Sequence, residues 1–333
     1  MNPQPHLAPV RVLYHGNCFD GCASAAAFAL FYRQCVDSNA TFEYCRLVHG
    51  PNGPLDETLF GSYINAIVDF RYAESTKLNY WVDHHRSAFY NDGAHEHFLG
   101  RPKDKFVFDP LAPSCMGLLC HAFAERFGFD YSALQDLLYW AEIIDSASFD
   151  SPEQAVMLTH PALQLMMVLE GLRDPSLEAE IIHKMQQISV SDIVRLESVA
   201  AEFSQLWAQH TSTLNQIKAR AGLEKSIVSF DLSDLNLSGY NKFIPYYLFP
   251  DAIYTVGVTQ DARRIKISVG SNPWRKEERR HNIARLCERY GGGGHAAVGA
   301  VSVARGEWTQ TSAIVAELKS HLADPSDITS ESL

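Results

Sequence analysis

Residues 10–27, VRVLYHGNCFDGCASAAA, pass from β-branched and aromatic residues through Gly16, Asn17 and Cys18 into an alanine-rich stretch. The first part has the chemistry of a strand and the last that of a helix, so the segment reads as a strand, a tight turn and a helix over Cys22–Gln34. Further strand candidates follow at 41–49 (TFEYCRLVH), 64–70 (INAIVDF), 78–85 (LNYWVDHH) and 105–110 (KFVFDP). Short strands alternating with helices imply an α/β fold whose N-terminal part is a doubly wound, mostly parallel sheet. In such sheets the chemistry gathers at the carboxyl ends of the strands.

Beyond this sheet the pattern turns helical, with helices expected over 114–127, 132–146 and 154–172 and a long polar one between 177 and 220. Strand signals return at 226–230, 252–259, 264–270 and 297–303, with a helix over 282–290 between the last two. The expected division is an α/β domain over 1–175, a helical connector over 176–224, a smaller α/β domain over 225–323 and a polar, disordered tail over 324–333.

The 333 residues are 46% hydrophobic and 20% charged, enough apolar material for two cores. A net charge of −11 argues against sequence-independent binding to long nucleic acid, which needs a basic surface. The seven cysteines include no CxxC pair and read as reduced thiols. The N-terminus lacks signal-peptide character, and no apolar run approaches the ~20 residues of a membrane span. A cytoplasmic protein without membrane contact is expected, with a homodimer left open.

Three of the candidate strands end in acidic or imidazole groups: His15 with Asp20 just beyond, Asp69, and the triplet Asp83-His84-His85. A fourth carboxylate, Asp145, interrupts an otherwise apolar helix. Each has an ordinary structural explanation. A strand-end Asp caps helices or forms turns, a lone His is commonly a satisfied structural residue, and a buried Asp can be held by a salt bridge. Together they fall where one sheet edge brings them into a single site. Carboxylates mixed with imidazole suit Mn²⁺ or Mg²⁺, and less well Zn²⁺ or Fe²⁺. A pair of such ions sharing a carboxylate would activate water and clamp a phosphate ester, and would supply the positive field that an acidic chain lacks.

With the triplet 83–85 at a strand end, aspartates before and after it, and ERYGGGGHAAVGAVSV at 288–303 in the second domain, the chain resembles the DHH phosphoesterase superfamily with its DHH-associated C-terminal domain, among them the nano-RNase or oligoribonuclease-like members. The resemblance implies two divalent metal ions, Mn²⁺ foremost. It implies that Asp69 bridges them, that His15 holds one and that Asp20, His84 and Asp145 hold the other. His85 then faces the scissile phosphate and Asp83 orients the neighbouring histidines, making these two the catalytic candidates. The departure is Cys18, which stands where the family has an aspartate; a thiolate ligand and a packed wall residue are both open.

In the second domain, four successive glycines can bring backbone amides close to an anion. Gly292, Gly293, Gly294 and His295 are therefore candidate substrate contacts, and one glycine is accounted for by a helix C-cap. Arg264, Ser271 and Asn272 are added as phosphate or sugar contacts, with Gly270 where related domains have an arginine. The expected function is hydrolysis, by metal-activated water, of a small phosphodiester or phosphomonoester such as a short oligoribonucleotide or a dinucleotide. The alternatives are a pyrophosphate or short polyphosphate hydrolase, and a catalytically degenerate nucleotide-binding module.

Overall fold

The computed structural model describes residues 9–50, 53–61, 63–237 and 239–324; from residue 325 the expected polar tail lies outside the described residues. The chain gathers into two compact units. One takes it as far as Phe149 and again from Thr159 to Leu206, the other takes Asp150–Leu158 and everything from Trp207 onward. The segment expected as a connector is thus divided between them, its residues up to Leu206 packing with the first unit.

The first part of the chain forms β1 (Val10–His15), α1 (Phe19–Cys35), β2 (Phe42–Leu47), β3 (Ile64–Val68), β4 (Leu78–Asp83), α2 (Asp92–Leu99) and β5 (Phe106–Phe108). The five strands are all parallel, in the order β2-β1-β3-β4-β5. Strand order reverses between β1 and β3, and the carboxyl edge there is where open α/β sheets bind ligands. β1 does not alternate: Val10, Val12, Leu13 and Tyr14 are all buried, as in a strand covered on both faces.

The helices that follow are α3 (Cys115–Phe127), α4 (Gln135–Asp145), α5 (Pro152–Met157), α6 (Pro161–Gly171), α7 (Pro175–Met185), α8 (Val190–Ile193) and α9 (Glu197–Arg220). Helix α1 lies against β1 and touches α3, α4, α6 and α7. Its alanines at 23, 25, 26, 27 and 29 are fully buried, which is why the helix is apolar all round instead of amphipathic. Phe70, Tyr72, Trp81, Phe98 and Phe106 form a separate aromatic core.

Two helices differ from the sequence reading. The one expected over 154–172 is broken, because Leu158 adopts a left-handed backbone (φ 46°) and Pro161 opens a new helix capped by the His160 side chain. The long polar helix between 177 and 220 is three helices, with Ser189 capping α8 through the Asp192 amide. A side chain that caps competes with helix continuation, and apolar periodicity does not register it.

The second unit contains β6 (Gly222–Glu224), β7 (Ile227–Asp231), α10 (Ile244–Leu248), β8 (Tyr254–Gln260), β9 (Arg264–Ser271), α11 (Ile283–Glu288), β10 (Gly293–His295), β11 (Val298–Ala304) and α12 (Trp308–Ala323). Its six-stranded sheet runs β10-β11-β9-β8-β7-β6, antiparallel except for β7 beside β8. Ile265, Ile267, Val269, Val301 and Val303 face a core shared with Ile283, Leu286, Ile314 and Leu318. The period-2 pattern of β9 and β11 produces that core. Among the described residues no helix is long and apolar enough to cross a membrane.

Candidate metal centre

The turn from β1 into α1 is tight because α1 begins at Phe19, earlier than Cys22. Cys18 is its N-cap, its sulfur accepting from the Gly21 amide at 3.5 Å. A side chain at Gly21 would collide with the His15 carbonyl oxygen, so this close approach requires glycine. Asn17 sits in the left-handed region (φ 56°) and is held from the far side of the turn. Its amide donates to Glu178 Oε1 at 2.7 Å, and its side chain donates to the carbonyls of Leu169 (3.1 Å) and Leu172 (2.6 Å). Asn17 is thereby committed to structure. Glu178, on α7, is fully buried and also accepts from Arg46 (3.3 Å) and the Cys22 thiol (3.6 Å).

Two groups of side chains converge beside this turn. His15, Asp69 and His85 form one, and Asp20, His84 and Asp145 the other, each with ligand atoms lying within 4.8 Å of one another. They adjoin through His84, whose Nε2 is 3.3 Å from Asp145, 3.5 Å from Asp69 and 3.8 Å from Asp20. Asp69 and Asp145 therefore share one cluster.

Each member is aimed by its element. Asp69 follows β3 in a left-handed conformation (φ 56°) with its amide on the Val82 carbonyl, and His15 Nδ1 donates to its Oδ2 at 3.2 Å. Strained backbone of this kind concentrates at functional sites. His84 Nδ1 donates to the Ala112 carbonyl (2.9 Å), which turns Nε2 inward. His85 Nδ1 lies 2.8 Å from Asp83 Oδ1, which also accepts from the His84 and His85 amides. Asp83 thus orients the two histidines from behind. Asp20 caps the start of α3, accepting from the Cys115 (2.6 Å) and Met116 (3.0 Å) amides. Asp145 closes α4.

The protonation pattern is that of an acidic site short of positive charge. Burial pushes the Asp20 carboxyl well up, with Asp69 and Asp145 adding repulsion. Asp145 is raised for the same reasons. Burial disfavours the His84 imidazolium, yet its contact with Asp69 and the charges of Asp20 and Asp145 outweigh this and lift it to about 10. Burial alone would raise Asp69 too, but the contacts with His15 and His84 hold it below the usual carboxylate range. Cys18 is raised by burial and by Asp69, and its thiol lies 3.6 Å from Asp69 Oδ2.

The residues fit divalent cations. Asp69 Oδ1, Asp83 Oδ2 and His84 Nε2 are buried without a hydrogen-bond partner, a costly state for polar atoms that ions would relieve. The second group, with two carboxylates and one imidazole plus nearby Asp69, is oxygen-rich and suits Mn²⁺ or Mg²⁺.

Sequence reading passed over Glu178, which no motif marks, and also His49. His49 stands two residues beyond β2, its ring 4.6 Å from that of His15 and stacked on Phe70 at 5.1 Å. The strand-end rule that selected His15 would have found it.

The candidate contacts of the second unit do not assemble as expected. Gly293 and His295 lie in β10, an edge strand paired with β11, and Gly293 faces open space. Gly291 takes a left-handed turn (φ 73°), and side chains at Gly292 and Gly294 would collide with the carbonyls of Ala300 and Val298. Packing therefore accounts for three of the four glycines, more than a helix cap alone. Ser271 and Asn272 are buried, donating to the Ala297 (3.1 Å) and Ala252 (2.8 Å) carbonyls. Arg264 opens β9 and donates to Ser302, while Ser271 closes the same strand, roughly 20 Å away at strand rise. Arg264 cannot grip the same phosphate as His295, since Val298, the partner of His295, pairs with Gly270. The backbone carries Gly270 where an arginine was expected, and the Tyr246 hydroxyl occupies the space beside it.

No protein-family model and no curated protein sequence matches the chain. Solved structures do. A pGpG-specific phosphodiesterase, PggH from Vibrio cholerae, superposes with a TM-score of 0.69 at 19% identity, covering 94% of this chain and 99% of that one. An exopolyphosphatase-related protein from Bacteroides fragilis gives 0.56 at 13% identity, over 95% and 94%. RecJ from Thermus thermophilus in complex with Mn²⁺ gives 0.54 at 14% identity, over 96% of this chain and 53% of that one. The chain has the fold of the DHH proteins in both its units.

Proposed function

We propose that this chain is a metal-dependent phosphoesterase that hydrolyses a short phosphodiester, a linear dinucleotide or short oligoribonucleotide, with two divalent ions, Mn²⁺ foremost. The observation that carries the reading is the convergence of six ligand-type side chains around Asp69 Oδ1 and His84 Nε2, buried atoms that carry no hydrogen bond. The phosphodiesterase and exopolyphosphatase-related neighbours support phosphoryl hydrolysis as a class, and the Mn²⁺ complex of RecJ supports the metal. Mechanistically, Asp69 stands between the two groups to be shared, His15 and His85 flank it on one side, and Asp20, His84 and Asp145 complete the other. When bound, the ions would polarise the phosphate and lower the pKa of attacking water. Asp83, hydrogen-bonded to His85 Nδ1, leaves Nε2 of that ring to face ion or substrate. In the second unit, His295 and the open Gly293 are the substrate contacts retained.

Against a phosphoanhydride substrate, which wants free cations, stands the pairing of Arg275 in the run after β9. Arg275 is engaged by Glu278 (2.6 Å) and Asp251 (3.6 Å). The test is metal content and turnover of chelator-treated, Mn²⁺-reloaded protein on pGpG, a short RNA and pyrophosphate. Two ions per chain, turnover of the diesters, and loss of both one ion and turnover in a folded Asp69→Asn variant are expected. Preference for pyrophosphate would replace the substrate class, and no ion with no turnover would leave a binding module.

A further inference from the structure

We propose that His49 is a further ligand of the ion held by His15, Asp69 and His85, making that site imidazole-rich and distinct in metal preference from its oxygen-rich neighbour. This rests on the metal reading above and deepens it. His49 leaves the carboxyl end of β2, the strand beside β1, and the Gly16 amide donates to the Leu47 carbonyl at 2.8 Å, pinning that exit against the turn that carries His15. The ring of His49 is 4.6 Å from that of His15 and 6.3 Å from that of His85, and His15 and His85 are 5.8 Å apart.

These spacings have a physical reading. An imidazole nitrogen lies about 2.1 Å from a bound divalent ion, which puts the ring centre roughly 3.2 Å from it, so two rings on one ion are about 4.6 Å apart at right angles and about 6.4 Å apart when opposed. All three observed separations fall in that interval. The His49 nitrogens lie outside that group of ligand atoms, so ligation needs a turn of the ring. The residue is exposed and no hydrogen bond holds its ring among the described residues, and exposed side chains reorient on the picosecond-to-nanosecond scale.

The neighbouring loop leaves a place for such a ligand. Cys18 Sγ is engaged by the Gly21 amide and by Asp69, so the group contains a single carboxylate, that of Asp69. A site of three imidazoles and one carboxylate favours borderline ions such as Fe²⁺ or Zn²⁺ more than the Asp20, His84 and Asp145 group does.

The experiment is calorimetric titration of Mn²⁺ into chelator-treated wild type and His49→Ala, together with the visible spectrum of the Co²⁺-loaded proteins. Wild type is expected to bind two ions. His49→Ala is expected to weaken one of them at least tenfold, to change the Co²⁺ spectrum, and to leave the thermal midpoint of the metal-free protein in place, because His49 is exposed. Two ions of unaltered affinity in the variant would overturn the proposal while leaving the metal reading intact. A weakened site with a wild-type Co²⁺ spectrum would also overturn it, by placing His49 outside the coordination sphere. Wild type that binds no ion would remove both the proposal and the reading under it.

Discussion

Removing the Glu178 carboxylate should unhinge the turn that carries His15 and Asp20. The side chain is fully buried and accepts from the Asn17 amide (2.7 Å), Arg46 (3.3 Å) and the Cys22 thiol (3.6 Å). In Glu178→Ala the Asn17 amide loses its acceptor, which costs about 1–3 kcal/mol for a buried donor. Breaking a buried ion pair costs about 3–5 kcal/mol, but Arg46 is 21% exposed and keeps the Leu172 carbonyl, which places this loss near 1–2 kcal/mol. The sum is about 2–5 kcal/mol. Glu178→Gln keeps an acceptor for Asn17 and loses only the charge, so about 1–2 kcal/mol is expected. Urea unfolding of the metal-free chain reads these values, and Mn²⁺ titration should show weakening of tenfold or more, as for other groups that orient ligands. A loss under about 1 kcal/mol in Glu178→Ala with wild-type Mn²⁺ affinity would refute the reasoning.

Further outcomes follow from the same geometry. His84 is lifted from 6.5 to about 10 in the folded, metal-free protein. Its contribution is fully present below about pH 6.5 and is lost as pH rises through about 10, so the thermal midpoint of chelator-treated protein should fall across that window. Mn²⁺ must displace the same proton, so its affinity should rise with pH over that range; a flat profile in both measurements would exclude an imidazolium at His84. Gly292→Ala and Gly294→Ala should each destabilise by about 1–3 kcal/mol or more through collision with the β11 backbone. Gly293→Ala, with open space around it, should stay within about 0.5 kcal/mol of wild type. Equal losses at all three positions in thermal melts would contradict the assigned packing.

Much of the centre is legible from strand ends alone. Parallel strands that terminate in His15, Asp69 and Asp83 must deliver those residues to one edge, because the period and direction of the strands allow nothing else. His49, two residues beyond the end of β2, obeys the same logic. Glu178 and Arg46 lie beyond such reasoning: they are 132 positions apart, and a buried pair at that separation leaves no local pattern. The glycine run shows the opposite limit. Its composition suggested an anion cradle, whereas Gly292 and Gly294 are required by the carbonyls of β11 and Gly291 by its left-handed turn, which leaves Gly293 without such a demand.

Sequence by itself determined the strands of the parallel sheet, the position of α1 and the candidate ligand types, since these depend on side-chain period and on chemistry carried by single residues. Tertiary structure alone decided which residues share an ion-sized space, that the Asn17 side chain turns to the Leu169 and Leu172 carbonyls, and that Arg264 stands a strand's length from His295. Those outcomes depend on distances between segments remote in the chain, set when α6 and α7 pack on α1, α1 lies on β1, and β9 pairs with β11.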